Sequence, residues 1–318
     1  MFQRQVNVNQ APGIPGTLAS TNPAAVVVAG AFALVAAAGG ALVGGFNWVV
    51  GNTAQSFSPG GTVPDGFLAN ELQAENRIWL TESSMIVPQG QGLTLYERGD
   101  FWATAALTAA IKGQKVFANL LTGKILTAPA GSFPTNAVGQ SGSCVAAVTA
   151  GDNTLTVASV SGATNLQVGD FISGLGLPIG TYIYALGSGT GGAGTYYLTQ
   201  KATITEAAAT YTTTAPDSVG GASGATASFA TNVMTVTVAP TGGAFAAGQL
   251  VQSAGVAAGT YILSQLTGTP GGAGTYQLST SPGTITAQAA AGSAWIETPF
   301  FVKSPGNVGD VFKLGIHN

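Results

Sequence analysis

The chain repeats itself, and this limits what it can fold into more than any other feature. NTLTV at Asn153–Val157 is matched by NVMTV at Asn232–Val236, 79 residues on. VGDFISGLGLPIGTYI at Val168–Ile183 is matched by AGQLVQSAGVAAGTYI at Ala247–Ile262 at the same spacing. GGAGTYYL at Gly191–Leu198 is matched by GGAGTYQL at Gly271–Leu278 at a spacing of 80, so one residue is inserted ahead of that loop. Three blocks in one order at one spacing imply two tandem copies of a single unit. Leu155 and Val157 alternate with Thr, and a Gly-rich loop leads into TYYL, so each copy reads as strands joined by tight turns. Thr and Val on strands with Gly at turns suit a small β-sandwich or β-roll. The copies are placed at 141–214 and 222–290, with APDSVGGASG as the linker.

The flanking sequence is aromatic and non-repetitive on both sides. Residues 23–140 plus 291–318 are therefore expected to form one β domain, with an extended arm at 1–22 and the two repeats inserted at a Gly/Ser-rich loop. QKVFANLLTGKILTA predicts a hairpin turning at Thr122-Gly123, and LTLYERGDFWA a turn at Arg98-Gly99-Asp100. GFLANELQAENRIWLTESS fits a helical turn or two around Glu71–Arg77, or a strand through Ile78 and Leu80.

Pro23–Val50 carries no charge and is long enough to be weighed as a membrane span. The eight Val, Leu and Phe residues of Val26–Gly44 supply roughly −2.4 to −4.8 kcal/mol toward insertion, and Gly40 and Gly44 form a GxxxG pair. Periodicity decides the matter. Val26, Val28, Phe32, Leu34, Leu42, Phe46, Trp48 and Val50 all occupy even positions, which is the period of a strand. No Lys or Arg flanks set an orientation, and Gly39-Gly40 and Gly44-Gly45 mark turns or bulges. Short buried strands are expected, and no membrane partner.

Chemistry-bearing motifs are thin. Nine Lys and Arg against twelve Asp and Glu leave no basic stripe, so no nucleic-acid partner is expected. The single cysteine, Cys144, forms no internal disulfide or thiolate cluster. The opening MFQRQVNVNQAPGIPG lacks the apolar core of a secretory signal. GSGTGG at Gly187–Gly192 matches a dinucleotide fingerprint in form, but a strand-like AGTYYL follows where a helix is required, so it reads as a loop. The only histidine is His317, which argues against a His-dependent triad. Glu71 and Glu75 would share a helix face and are the sole candidates for a paired-carboxylate hydrolase. Their plainer reading is a solvated face or an intersubunit ion pair. Asp152-Asn153 and Asp170 lack the dense oxygen spacing of a calcium loop. No enzyme, cofactor or metal is expected.

FQ…VNV near the start, then NPAAVVVAG, GFNWV, GDFWA, IKGQKVFANLLTGKI and a closing GDVFKLGI together resemble the structural cement proteins of tailed bacteriophages. The resemblance covers about 1–137 and 293–318 and rests on GDFW at Gly99–Trp102 and GQKVFAN at Gly113–Asn119; Arg98 ahead of GDFW departs from it. It implies an all-β chain: an extended arm and a small β-barrel-like base, here carrying the inserted β-sandwich or β-roll repeats. It further implies a non-enzymatic decoration protein that binds the outer capsid surface and staples neighbouring major capsid proteins. In that setting Phe2, Val6, Val8, Pro12 and Pro15 are the arm residues expected to touch the capsid. VNVNQAPGIPG alternates Val for strand addition, and its prolines limit the entropy lost on ordering. Neighbouring copies of the chain are further expected partners, with assembly in the bacterial host cytoplasm. The rival reading is a receptor-binding protein whose repeats bind host-surface glycans. An outer-membrane β-barrel is disfavoured, since the strands lack aromatic girdles.

Overall fold

A computed structural model of the chain describes residues 13–28, 33–71, 85–134, 141–161, 166, 170–178, 181–214, 221–269 and 271–316. Among these residues there are strands and turns and no helix, so the all-β expectation holds. Eleven strands precede the repeated blocks: β1 (Ala25–Val26), β2 (Val35–Ala36), β3 (Ala41–Leu42), β4 (Phe46–Val50), β5 (Thr53–Gln55), β6 (Gly66–Leu68), β7 (Ile86–Val87), β8 (Leu95–Arg98), β9 (Asp100–Thr104), β10 (Lys115–Asn119) and β11 (Ile125–Ala128). The first copy contributes β12 (Ser141–Val148), β13 (Thr154–Ser161), β14 (Phe171–Ser173), β15 (Ile183–Leu186), β16 (Gly194–Leu198) and β17 (Glu206–Thr214). The second contributes β18 (Gly221–Ala230), β19 (Val233–Val238), β20 (Gly242–Gly243), β21 (Leu250–Ser253), β22 (Ile262–Gly268), β23 (Gly274–Leu278) and β24 (Ile285–Ser293). Strands β25 (Trp295–Val302) and β26 (Val311–Gly315) close the chain.

Outside the repeated blocks the strands form two larger sheets and a small ribbon. One runs β1-β8-β6-β4-β5-β2, the other β11-β10-β25-β26-β9, with β3-β7 as a separate ribbon. The strands on either side of the repeated blocks thus share one sheet, β10 pairing with β25 and β9 with β26. Alternation explains the core. On β9 Phe101 and Ala103 point inward; on β26 so do Phe312 and Leu314, and on β25 Phe300 and Val302. They meet Phe46, Trp48 and Phe67 from the facing sheet. The rings interlock, with Phe67–Phe101 centroids 4.7 Å apart and Phe46–Phe300 centroids 5.4 Å apart.

The 115–128 hairpin forms as predicted, with Ala118 opposite Ile125 and Asn119 Oδ1 accepting from the Leu121 and Thr122 amides in the turn. Pro23–Val50 resolves into β1 to β4, with turns at Ala38-Gly39 and Val43-Gly44. Among the described residues no helix is long and apolar enough to cross a membrane. The even-position pattern needs correcting, however. Leu34, Phe46 and Trp48 are buried, but Val26, Val28 and Val50 are 45%, 90% and 46% exposed. The reason for Val26 and Val28 is topological: β1 is the outermost strand of its sheet, so apolar positions on it and just after it have no neighbouring strand to cover them. Phe32 lies outside the described residues, as do Ile78, Leu80 and positions 72–77 of the stretch weighed as a helical turn.

The repeated blocks form two further sheets with one strand order. They run β14-β17-β12-β13-β16-β15 and β21-β24-β18-β19-β23-β22, with β20 beside β18 in the second. Single hydrogen bonds recur as well. Tyr196 Oη donates to Gly192 O at 2.7 Å, and Tyr276 Oη to Gly272 O at 2.7 Å. The Leu166 amide donates to Gly191 O and the Phe245 amide to Gly271 O, both at 2.9 Å. Gly221–Gly224, part of the stretch read as linker, lie inside β18, where Gly221 pairs with Ser293.

Where the two sheets differ, neighbours change together. Tyr211 on β17 covers Gly174, whose added Cβ would lie 2.5 Å from Tyr211 Cδ1. At the corresponding place in the second sheet Ser253 faces Ala290. Gly174→Ser should therefore destabilise the first sheet by about 1–3 kcal/mol through overpacking. Combined with Tyr211→Ala it should cost less than the two single effects added together, by about 1 kcal/mol. A denaturation cycle over the four variants measures the coupling; strict additivity would mean that the ring and the glycine do not constrain each other.

Candidate interaction surface

Strand β9 ends the five-stranded sheet, and a free edge strand is a template for pairing. Here the chain's own leading segment occupies it. The Gly16 amide donates to Trp102 O at 2.7 Å, the Trp102 amide to Thr17 O at 2.9 Å and the Ala19 amide to Asp100 O at 2.8 Å. Leu18 bridges Phe101 antiparallel. Residues 16–19 thus pair with an edge strand of their own chain.

Asp100 anchors this pairing. Ser20 Oγ donates to Asp100 Oδ2 at 2.7 Å and Asn22 Nδ2 at 2.6 Å, while Oδ1 is buried without a hydrogen-bond partner among the described residues. Arg98-Gly99-Asp100 is therefore not the predicted hairpin turn. It is a corner where the chain leaves one sheet on β8 and enters the other on β9, through Gly99 at φ +143°. The Asp100 carboxylate faces inward, 8% exposed. Asp100→Ala should cost about 1–3 kcal/mol, since the two charge-assisted bonds lost outweigh the relief of removing one unsatisfied buried oxygen. It should speed amide exchange at Ala19; unchanged exchange there would show that edge pairing alone holds the segment.

Beside the anchored segment lies an apolar trough. A cavity of about 440 Å³ is lined by Ile14, Pro15, Leu42, Met85, Lys124 and Ile125, among others. A second, of about 230 Å³, shares Leu42 and Lys124 with it and adds Ile86, Leu121, Phe171 and Tyr182, the last two from the first repeated sheet. Ile14, Met85 and Ile86 are 64%, 43% and 40% exposed, so large apolar side chains face solvent along one continuous path. Of the arm residues named from the sequence, Pro15 lines this trough, whereas Phe2, Val6, Val8 and Pro12 lie outside the described residues. Sequence reasoning misses Met85, Ile86 and Tyr182. Tyr182 has a usable signal, since it recurs as Tyr261 in both copies of GTYI.

Of the residues weighed for catalysis, only Glu71 is among the described residues. Glu71 accepts a hydrogen bond from Tyr96 Oη at 2.5 Å, which, with burial and the Glu71 charge, pushes the phenol up to about 12. Glu75 and His317 lie outside the described residues. Burial pushes the Cys144 thiol up to about 12. GSGTGG is the loop between β15 and β16 and leads into a strand. Asp152 Oδ1 caps its own turn, accepting from the Asn153 amide at 2.7 Å. Among the described residues no three His, Cys, Asp or Glu side chains gather as a metal site would require.

Comparison with known proteins adds a family to this geometry. No curated protein and no solved structure matches the chain. A family described as "Structural cement protein (E217 gp24/Pam3 gp6)" matches residues 2–168. The match spans the anchored segment, the corner at Gly99, the 115–128 hairpin and the trough residues up to Lys124 and Ile125. It continues past residue 137 into β12 and β13 and does not include 293–318, so its limits differ from those of the sequence resemblance. More than half of the chain being covered, the protein belongs to the phage structural cement proteins, structural components of the virion capsid.

Proposed function

We propose that this chain is a non-enzymatic decoration protein that binds the outer face of the phage capsid and holds neighbouring major capsid proteins together. The observation that carries this reading is the family match over 2–168, which contains the residues of the arm and of the first cavity. The base, at 23–140 plus 291–318, makes the capsid contact through the trough and through arm residues Phe2, Val6, Val8, Pro12 and Pro15. The two repeats, at 141–214 and 222–290, are inserted modules that project outward. Binding the assembled shell better than loose subunits stabilises the shell by mass action. Copies repeat with the lattice and with one another, so modest contacts add through avidity. Assembly takes place in the host cytoplasm. Co-sedimentation of the purified chain with undecorated capsids tests the reading: saturable binding and a raised capsid melting temperature are expected, and an unbound chain would overturn it.

One observation favours a second reading for the first repeat. Tyr184 and Tyr197 stand half-exposed with ring centroids 6.3 Å apart, beside exposed Leu186. Their counterparts in the second copy are Leu263, Gln277 and Gln265, so the unit folds without this aromatic surface. Such a face suits stacking on a neutral host-surface sugar. Loss of cell adsorption in Tyr184→Ala/Tyr197→Ala virions, with decoration unchanged, would assign it that role.

A further inference from the structure

We infer that the two repeated sheets are clamped to the base in fixed orientations by one docking end used twice, an apolar residue paired with a tyrosine that sits on a base glycine. In the first sheet the pair is Phe171 and Tyr182, which bridge each other with rings 5.7 Å apart. In the second it is Leu250 and Tyr261, 79 residues further on, which also bridge each other. The same end of each unit therefore faces the base.

The seats differ while the principle is shared. Phe171 is buried with Leu121 and Ala294 of the base, and Tyr182 packs against that group and donates its hydroxyl to Gly39 O. An added Cβ on Gly39 would lie 2.8 Å from Tyr182 Oη, so only a glycine leaves room for the hydroxyl. Leu250 packs on the aromatic core of the base. Gly61, at φ +65°, fits between Leu250 and Tyr261, its added Cβ lying 3.3 Å and 3.2 Å from them. Each tyrosine is in turn held by its own sheet. The Tyr182 amide donates to Thr199 Oγ1 at 3.2 Å, and the Tyr261 amide to Ser279 Oγ at 3.0 Å.

The covalent connections agree with a clamp. Only Ala294, fully buried, separates β24 of the second unit from β25 of the base. Ser293 Oγ donates to Pro134 O at 2.6 Å, which ties the exit from the second unit to the chain leaving the base. Units joined through small polar contacts are expected to swing; apolar seats and short connections prevent it. Whatever the distal faces of the repeats bind, they present it in a set geometry.

Hydrogen exchange and small-angle scattering on the full chain test this. Tyr182→Ala should raise exchange at least tenfold at Gly40 and at the 119–124 turn, and Tyr261→Ala should do so at Ser58 and Thr62. The double variant should also increase the maximum dimension. Amides of β13, β16, β19 and β23 should stay protected, because neither tyrosine belongs to the buried cores of the repeated sheets. Tyr182→Phe should change less than Tyr182→Ala, since the ring remains on Gly39. Unchanged exchange at both seats would overturn the inference, as would loss of protection in β13 and β16, which would make Tyr182 a core residue of its own sheet.

Discussion

Phe101→Ala is expected to cost the base about 3–5 kcal/mol, the range for deleting a fully buried aromatic side chain. Phe101 is inaccessible to solvent and lies where the two sheets of the base meet. Its ring stacks on Phe67 and approaches Tyr96 at 5.3 Å and Phe300 at 6.5 Å. It therefore joins strands from before the repeated blocks to one from after them. Against a total stability of about 5–15 kcal/mol, such a loss takes a large share. Equilibrium denaturation followed by tryptophan fluorescence reads it, since Trp48 lies in the same core. A loss under about 1 kcal/mol would mean that the sheets are held by other contacts.

The second large effect concerns attachment. Removing residues 2–12 should weaken binding to undecorated capsids by about tenfold or more, equivalent to roughly 1.4 kcal/mol per site. The isolated protein should melt within about 1–2 °C of the full chain. Those residues precede Gly16–Ala19, which hold the β9 edge, so the truncation leaves that edge covered. Trimming to residue 20 would instead expose an edge strand and confound attachment with aggregation. Equal decoration by the truncated chain would show that residues 2–12 make no contribution.

Some of this architecture can be read from the residues alone. The 115–128 hairpin follows from local alternation and a Thr-Gly turn, and Phe46 and Trp48 are buried as their even positions suggest, although Asn47 between them is buried as well. The exposure of Val26 and Val28 does not, because it depends on β1 having no strand beyond it. Nor does the pairing of Leu18 with Phe101, since register between segments so far apart in sequence leaves no local pattern. Arg98-Gly99-Asp100 misleads for a related reason: a glycine with positive φ serves equally in a hairpin turn and at a corner between sheets. The trough is partly legible. Pro15 belongs to a stretch notable for its alternation, whereas Met85 and Ile86 become a surface only once Leu42 and Lys124 are placed beside them.

The claim that the base faces the capsid while the repeated sheets face outward is tested most directly by cryo-electron microscopy of the virion. Density for residues 13–134 and 295–316 should lie against major capsid proteins, with Ile14, Met85 and Ile86 covered and both repeated sheets extending away from the shell. Density at the tail tip, or repeated sheets pressed against the capsid with the trough open to solvent, would contradict it.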